Sequence, residues 1–317
     1  MSTSQHRKEH LKEMLSWDLD KKIEHSKKRI KEFYESQDGK VFIAFSGGKD
    51  STVLLHLART MYPNIQGVFS NTTNEYTEIL QFVRHTKNIT TVMPKMTFSQ
   101  TVEKYGFPLV SKKVSRSITD LRENKSTTKN VRNLYLTGLN QKGIKCPTYK
   151  LAKKWYPLWQ EAKFNITNKC CDILKKEPMN RFKKESGLSP IVGTTVSEGG
   201  YRLQSWLKSG CNIIDGSNKD TSRAISIWND ADIWEYIKRN NIEYCKIYDD
   251  TDIVQGESRT GCVGCAFGSH LEKSNLIEKN RFERFRIRKP KQYKKMMNLT
   301  NNNVTYGEAL DFIGVSR

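Results

Sequence analysis

Two groups of residues in this 317-residue chain have the types and spacing to do chemistry. The first is Ser46-Gly47-Gly48-Lys49-Asp50-Ser51-Thr52. Paired glycines allow a tight turn with backbone N–H groups facing inward, and a helix starting there adds partial positive charge. Ser46, Ser51 and Thr52 bring hydroxyls, Lys49 a cation for phosphate charge, and Asp50 a carboxylate to orient the loop or a metal ion. The combination suits nucleotide phosphates, although the Gly-x4-Gly-Lys-Ser/Thr spacing of a Walker A loop is absent. The second group is Cys170-Cys171, followed 91 residues later by Cys262-x-x-Cys265. Four thiolates can close a tetrahedral zinc site or hold a [4Fe–4S] cluster. Adjacent cysteines point their side chains apart, which is awkward for one small ion and easier around a larger cluster. Lys169, Lys175 and Lys176 flank the first pair, Arg259 and His270 the second, and positive charge stabilises thiolates. Gly261, Gly264 and Gly268 are expected to leave room for a bulky group. Cys146, Cys211 and Cys245 read as small buried hydrophobes, with Cys211 also a candidate sulfur carrier.

The surrounding pattern has to place these residues. Residues 5–36 repeat apolar positions at helical spacing and are predicted as one helix, ended by Gln37-Asp38-Gly39-Lys40. Val41 to Phe45 is a continuous apolar run, as in a strand buried on both faces. A helix over 51–61, a strand over 65–69, a helix over 75–86 and a strand over 89–93 follow. This alternation predicts an α/β fold, a parallel sheet of about five strands flanked by helices, with right-handed crossovers. The phosphate loop then joins the first strand to the next helix. Residues 71–75, after the second strand, fall where α/β sheets bind ligands, and read equally as a polar turn. Residues 97–160 read as helical without strands, the sheet resumes at 190–194 and 223–228, and Asn229 caps a helix with Asp232 at its third position. The expected organisation is an N-terminal helix over 1–37 and a nucleotide-binding core over 38–245. A basic helical insertion lies near 104–160, and a Cys-x-x-Cys segment with a basic helical extension fills 246–317.

Charge narrows the partners. The chain has 54 Lys and Arg against 34 Asp and Glu. Residues 104–154 hold 13 bases and two acids, and residues 269–295 hold ten bases and three acids. With aromatics interleaved, both stretches suit DNA or RNA, or else are solvated helix faces. No run approaches the roughly 18 apolar residues needed to span a bilayer. The first 20 residues lack an apolar signal core, and seven cysteines are an odd number. A reducing cytoplasm is therefore expected rather than a disulfide framework.

The loop resembles the PP-loop, Ser-Gly-Gly-x-Asp-Ser, of ATP pyrophosphatases and related sulfonucleotide enzymes. That resemblance implies ATP or another adenine nucleotide gripped by residues 46–52, with Mg²⁺, and split into AMP and pyrophosphate. Lys169 to Pro178 resembles the Cys-Cys-x-x-x-Lys-x-x-Pro segment of adenylylsulfate reductases, which implies a [4Fe–4S] cluster on Cys170, Cys171, Cys262 and Cys265. The set is also similar to the phosphoadenylylsulfate (PAPS) reductase-like family and to the PP-loop component of DNA phosphorothioation systems. Arg202, in Gly199 to Trp206, resembles the arginine that meets nucleotide phosphate or sulfate in the reductases. One departure matters: the reductases carry a tail cysteine in Glu-Cys-Gly-Leu-His, and no cysteine follows Cys265. The resemblance therefore implies ATP-dependent activation of a nucleic-acid or nucleotide oxygen and its replacement by sulfur, drawing on a sulfur-donor or reductant protein. The alternatives are a sulfonucleotide reductase using a partner's thiol, and a non-catalytic nucleotide or redox sensor bound to nucleic acid. The helix Val53 to Arg59 is also close to that of the ATP sulfurylase small subunit, which has no need of four cysteines.

Overall fold

The computed structural model describes residues 3–123, 129–216, 219–272, 274–275 and 278–317. Lys125 and Lys273 of the two basic stretches lie outside the described residues. The chain forms two compact units. Unit 1 comprises Met1–Asn71, Tyr76–Met93 and Pro178–Ile247, and unit 2 comprises Thr72–Glu75, Pro94–Glu177 and Tyr248–Arg317.

Unit 1 opens with helices α1 (Thr3–Leu15) and α2 (Leu19–Ser36). The sequence predicts one helix here, but Asp18 accepts a hydrogen bond from the Lys21 N–H at 2.8 Å. That cap starts a second helix, because a short carboxylate competes for the backbone N–H groups of the turn that follows it. Next come β1 (Val41–Ala44), α3 (Lys49–Met61), β2 (Gly67–Ser70), α4 (Thr77–His85) and β3 (Ile89–Val92), close to the predicted positions. In unit 2, α5 (Phe98–Tyr105), β4 (Leu109–Val110), α6 (Lys112–Glu123), α7 (Lys129–Thr137) and α8 (Tyr156–Gln160) follow. A π-helical turn, Asp172–Lys176, leads into α9 (Glu177–Ser186), where the chain re-enters unit 1. There β5 (Ser189–Val192), α10 (Gly200–Ser209), β6 (Asn212–Ile213), β7 (Thr221–Ser222) and α11 (Asp230–Arg239) complete the first unit. Unit 2 closes with β8 (Ala266–Phe267), α12 (Arg281–Arg288), α13 (Pro290–Met297), the β9 (Thr300–Asn301) and β10 (Val304–Thr305) hairpin, and α14 (Tyr306–Phe312).

The sheet of unit 1 has six strands in the order β3-β2-β1-β5-β7-β6. Five run parallel and β6 is antiparallel to β7. Central β1 pairs Ile43 with Ile191 on one side and with Gly67 on the other. Val41, Phe42 and Ile43 are all buried, the burial on both faces that its unbroken apolar run predicts. Residues 223–228, predicted as a strand, form a turn instead, with Ser226 N–H donating to Arg223 O and Trp228 N–H to Ile225 O. The segment's apolar residues mislead because burial there does not come from sheet faces. Ser26 of α2 donates to Ala224 O and accepts from the Trp228 indole N–H, while Tyr236 of α11 packs edge-on against the Trp228 ring. Strand β4 is equally invisible in the helical reading of 97–160, since two residues cannot show a period. It pairs in parallel with β8.

Candidate functional site

The phosphate loop lies in unit 1 at the C-terminal end of β1, where open α/β sheets present ligands. Gly47 has φ +71°, and a Cβ there would press within 3.1 Å of Ile79 and Val83 methyls, so glycine is required both by backbone and by space. Gly48 is the N-cap of α3, and no side chain caps that helix start. The hydroxyls brace the loop from within. Ser51 Oγ donates to Gly48 O at 2.9 Å, accepts from Ser46 N–H at 3.1 Å, and lies 3.0 Å from Ser46 Oγ, while Thr52 Oγ1 donates to Gly48 O at 3.0 Å.

Lys49 is buried, with its ammonium 3.4 Å from Asp50 and 3.1 Å from Asp230. Burial pushes the Asp50 carboxyl above its usual value, against the pull of Lys49. Asp230 opens α11, where Asn229 and Asp232 form the predicted capping box. The sequence marks that segment only as a helix start. Gly193, just past β5, is a second residue sequence reasoning missed. A Cβ there would lie 3.2 Å from Asp50 O and from Ser51 N and Cα, so its bare backbone admits the loop. Arg202 sits on α10, half-exposed, 3.7 Å from Glu198. Glu198 in turn raises the Asp50 carboxyl by like charge, which puts the arginine's partner within electrostatic reach of the loop.

The four cysteines all fall in unit 2 and are free thiols. Cys170 is buried, and Cys171, Cys262 and Cys265 are half-buried. The Cys170–Cys171 hydrogen bond pulls the Cys171 thiol down and pushes Cys170 up, and Lys112 and Lys175 add their positive charge to the thiolate at Cys171. Burial raises Cys262, and raises Cys265 to about 11, with Cys171 and Cys262 contributing as like charges. Lys175 is held protonated above its ordinary range, first by Cys262 and then by Glu75, Cys171 and Cys265. All four thiols and two lysines thus share one electrostatic environment. Among the described residues, no three His, Cys, Asp or Glu side chains converge closely enough to hold one metal ion.

The backbone around Cys262-x-x-Cys265 is fixed by residues that read in the sequence as a polar turn. Asn74 O accepts from Val263 N–H, Asn74 Nδ2 donates to Val263 O, and Thr72 Oγ1 lies 3.6 Å from Cys262 Sγ while donating to Glu75. Arg281 donates to Cys265 O and Phe267 O, and the Tyr306 hydroxyl donates to Gly264 O. Val110 takes φ +61°, a costly conformation for a β-branched residue, immediately before the turn that brings in Lys112. The predicted role of the glycines is corrected in part. Gly264 is bare because a Cβ would collide with Met296 Sδ, so it serves packing, whereas Gly261 faces open space. Cys211 and Cys245 are buried as expected, but Cys146 is half-exposed.

The model of the phosphoadenosine phosphosulfate reductase domain matches residues 40–123 and 118–267. The chain belongs to this family. The match spans both the phosphate loop and all four cysteines. An uncharacterized protein of Methanocaldococcus jannaschii is 24% identical over 247 residues, 77% of this chain and 46% of that protein, so the chain spans about half its relative's length. The solved phosphate complex of PAPS reductase from Candida auris aligns with 14% identity and a TM-score of 0.38, covering 66% of this chain and 77% of the reductase. No described helix is long and apolar enough to cross a membrane.

Proposed function

We propose that the chain splits ATP into AMP and pyrophosphate on residues 46–52, activating an acceptor oxygen of a nucleic acid or nucleotide for replacement by sulfur. The observation that carries this reading is the loop itself: a glycine turn opening on a helix start without a side-chain cap, with a buried lysine held between two carboxylates. In this reading the helix N-terminus and the loop N–H groups bind the phosphates. Lys49 leaves its carboxylate partners and stabilises charge that develops on the α-phosphate and on the departing pyrophosphate. Asp50 and Asp230, released from Lys49, are the residues that would hold Mg²⁺. Arg202 exchanges Glu198 for a phosphate or for the acceptor. In the first step the acceptor oxygen attacks the α-phosphorus, the α–β bridging bond breaks, and pyrophosphate carries away that electron pair.

Cys170, Cys171, Cys262 and Cys265 would hold a [4Fe–4S] cluster. The donor chemistry fits: four free thiols in mutual electrostatic reach, with Lys112 and Lys175 offsetting the negative charge. When bound, such a cluster supplies electrons or a route for sulfur, and a sulfur-donor or reductant protein is its expected partner. Two measurements test the proposal. Product analysis with ATP should give AMP and pyrophosphate, abolished in Lys49→Met; release of ADP and phosphate would contradict it. Anaerobic purification should yield about four irons with acid-labile sulfide, lost in Cys171→Ser and Cys265→Ser, and stoichiometric zinc without iron would overturn the cluster assignment.

A further inference from the structure

The two basic stretches, alike in sequence, differ in what their charges do. In and beside α12 the arginines are consumed internally. Arg281 pairs with Glu272, Arg284 with Glu257, Arg288 donates to Asp249 O and Gln255 O, and Arg286 donates to Arg317 O. Within residues 104–169 the pattern is different. Lys104 and Lys169 lie over the ring of Tyr105, at 5.4 and 4.9 Å from its centre. Lys113 lies over Tyr149 at 5.6 Å and Lys154 over Trp155 at 5.0 Å. All four lysines are exposed, and among the described residues none has a carboxylate partner. Tyr149 itself is 52% exposed.

Cations stacked on rings without carboxylates to neutralise them present positive charge and a π-face together, the combination that takes a phosphate and its base. The setting is built rather than loose. Tyr105, Lys104 and Lys169 line a cavity of about 320 Å³, walled on one side by Thr119 and Arg122 of α6. The Arg122 guanidinium donates to the carbonyls of Leu158, Trp159, Ala162 and Phe164, which anchors that wall. Lys113 stands in the first turn of the same helix, about 14 Å along its axis from Arg122.

We infer that residues 104–123 and 129–169 of unit 2 form a binding surface for single-stranded nucleic acid, with the four lysines taking phosphates and Tyr105, Tyr149 and Trp155 taking bases. An acidic peptide would use the charges and leave the rings idle, whereas a duplex keeps its bases stacked inside. The surface does not depend on ATP cleavage, so it is tested without nucleotide and again in Lys49→Met, where binding persists.

The test is fluorescence anisotropy of the full chain with labelled DNA and RNA single strands of about 20 nucleotides, enough to cover a single-strand site. A duplex of equal length and phosphatidylserine vesicles are the comparisons. Either single strand should bind more tightly than the duplex at physiological salt, and binding should tighten as salt is lowered. Replacing Lys104, Lys113, Lys154 and Lys169 by glutamine should reduce the salt slope by about 3, at about 0.7 for each phosphate that is no longer neutralised. These lysines are exposed, so the thermal midpoint should stay unchanged. Tyr149→Ala should weaken binding about 5- to 100-fold while Tyr149→Phe retains it. Wild-type affinity and salt slope in the four-lysine variant would overturn the inference. So would equal or tighter binding to the duplex, or binding to the vesicles with none to either strand.

Discussion

Lys22 connects the N-terminal helices to the phosphate loop, and its removal makes a quantitative test. Its side chain is 2% exposed and its ammonium lies 2.7 Å from Asp232 Oδ2. Asp232 also accepts the Asn229 N–H at 2.7 Å, closing the capping box that begins α11 and presents Asp230 to Lys49. Lys22→Met therefore strands a carboxylate that is nearly buried. Breaking one side of such a pair costs about 3–5 kcal/mol, and the retained Asn229 N–H places this case near 3 kcal/mol. For a unit of this size that lowers the thermal midpoint by about 6–12 °C. Adding Asp232→Asn removes the stranded charge and keeps an acceptor for the cap, so the double variant should recover half or more of the loss. Thermal unfolding measures the midpoint, and hydrogen exchange at α2 and α11 amides locates the loss. ATP affinity should fall in the single variant and return in the double. A cost below about 1 kcal/mol, or a double variant as unstable as the two singles combined, would refute the reasoning.

Three further outcomes follow from the site. Gly193→Ala forces a Cβ against the Asp50 carbonyl oxygen and the Ser51 backbone, so calorimetry should show ATP affinity reduced about tenfold at a stability cost of about 1–3 kcal/mol. Asp230→Ala removes the nearer of the two carboxylates on Lys49, and product analysis should show a slower turnover that extra Mg²⁺ partly restores. His25 is held down to about 4, first by burial and then by Arg29, His10 and Lys28. Its folded value lies below its unfolded value of about 6.5, so its contribution is complete above pH 6.5 and is lost as pH falls toward 4. Full burial would make this about 3 kcal/mol, and the half-exposed ring reduces it to about 1–2 kcal/mol. Thermal midpoints measured across that range should fall less steeply in His25→Gln.

Much of unit 1 was legible because its signals are local. The apolar run at 41–45, the glycine turn and the amphipathic helix after it are adjacent in the chain, and each matches its structural counterpart within a residue or two. The capping box at Asn229 was legible for the same reason. Asp230 and Gly193 were not, because each meets the loop only after the sheet has formed, and neither carries a pattern of its own. The partners of Cys262 and Val263 show the same limit: Thr72 and Asn74 lie about 190 residues away in sequence. Residues 223–228 failed differently, since the burial of 224–228 is real but arises around a turn held by Ser26. Charge counting could not separate the stretch at 269–295, whose arginines are bound internally, from that at 104–154, where Lys104, Lys113 and Lys154 lie over rings.

The most direct test of the central claim is calorimetry with α,β-methylene-ATP, whose bridging carbon blocks scission between the α- and β-phosphates. The wild type should show saturable, Mg²⁺-dependent binding, weakened at least about tenfold in Lys49→Met because a charge-assisted hydrogen bond to phosphate is removed. Absence of saturable binding, or equal affinity in Lys49→Met, would contradict it.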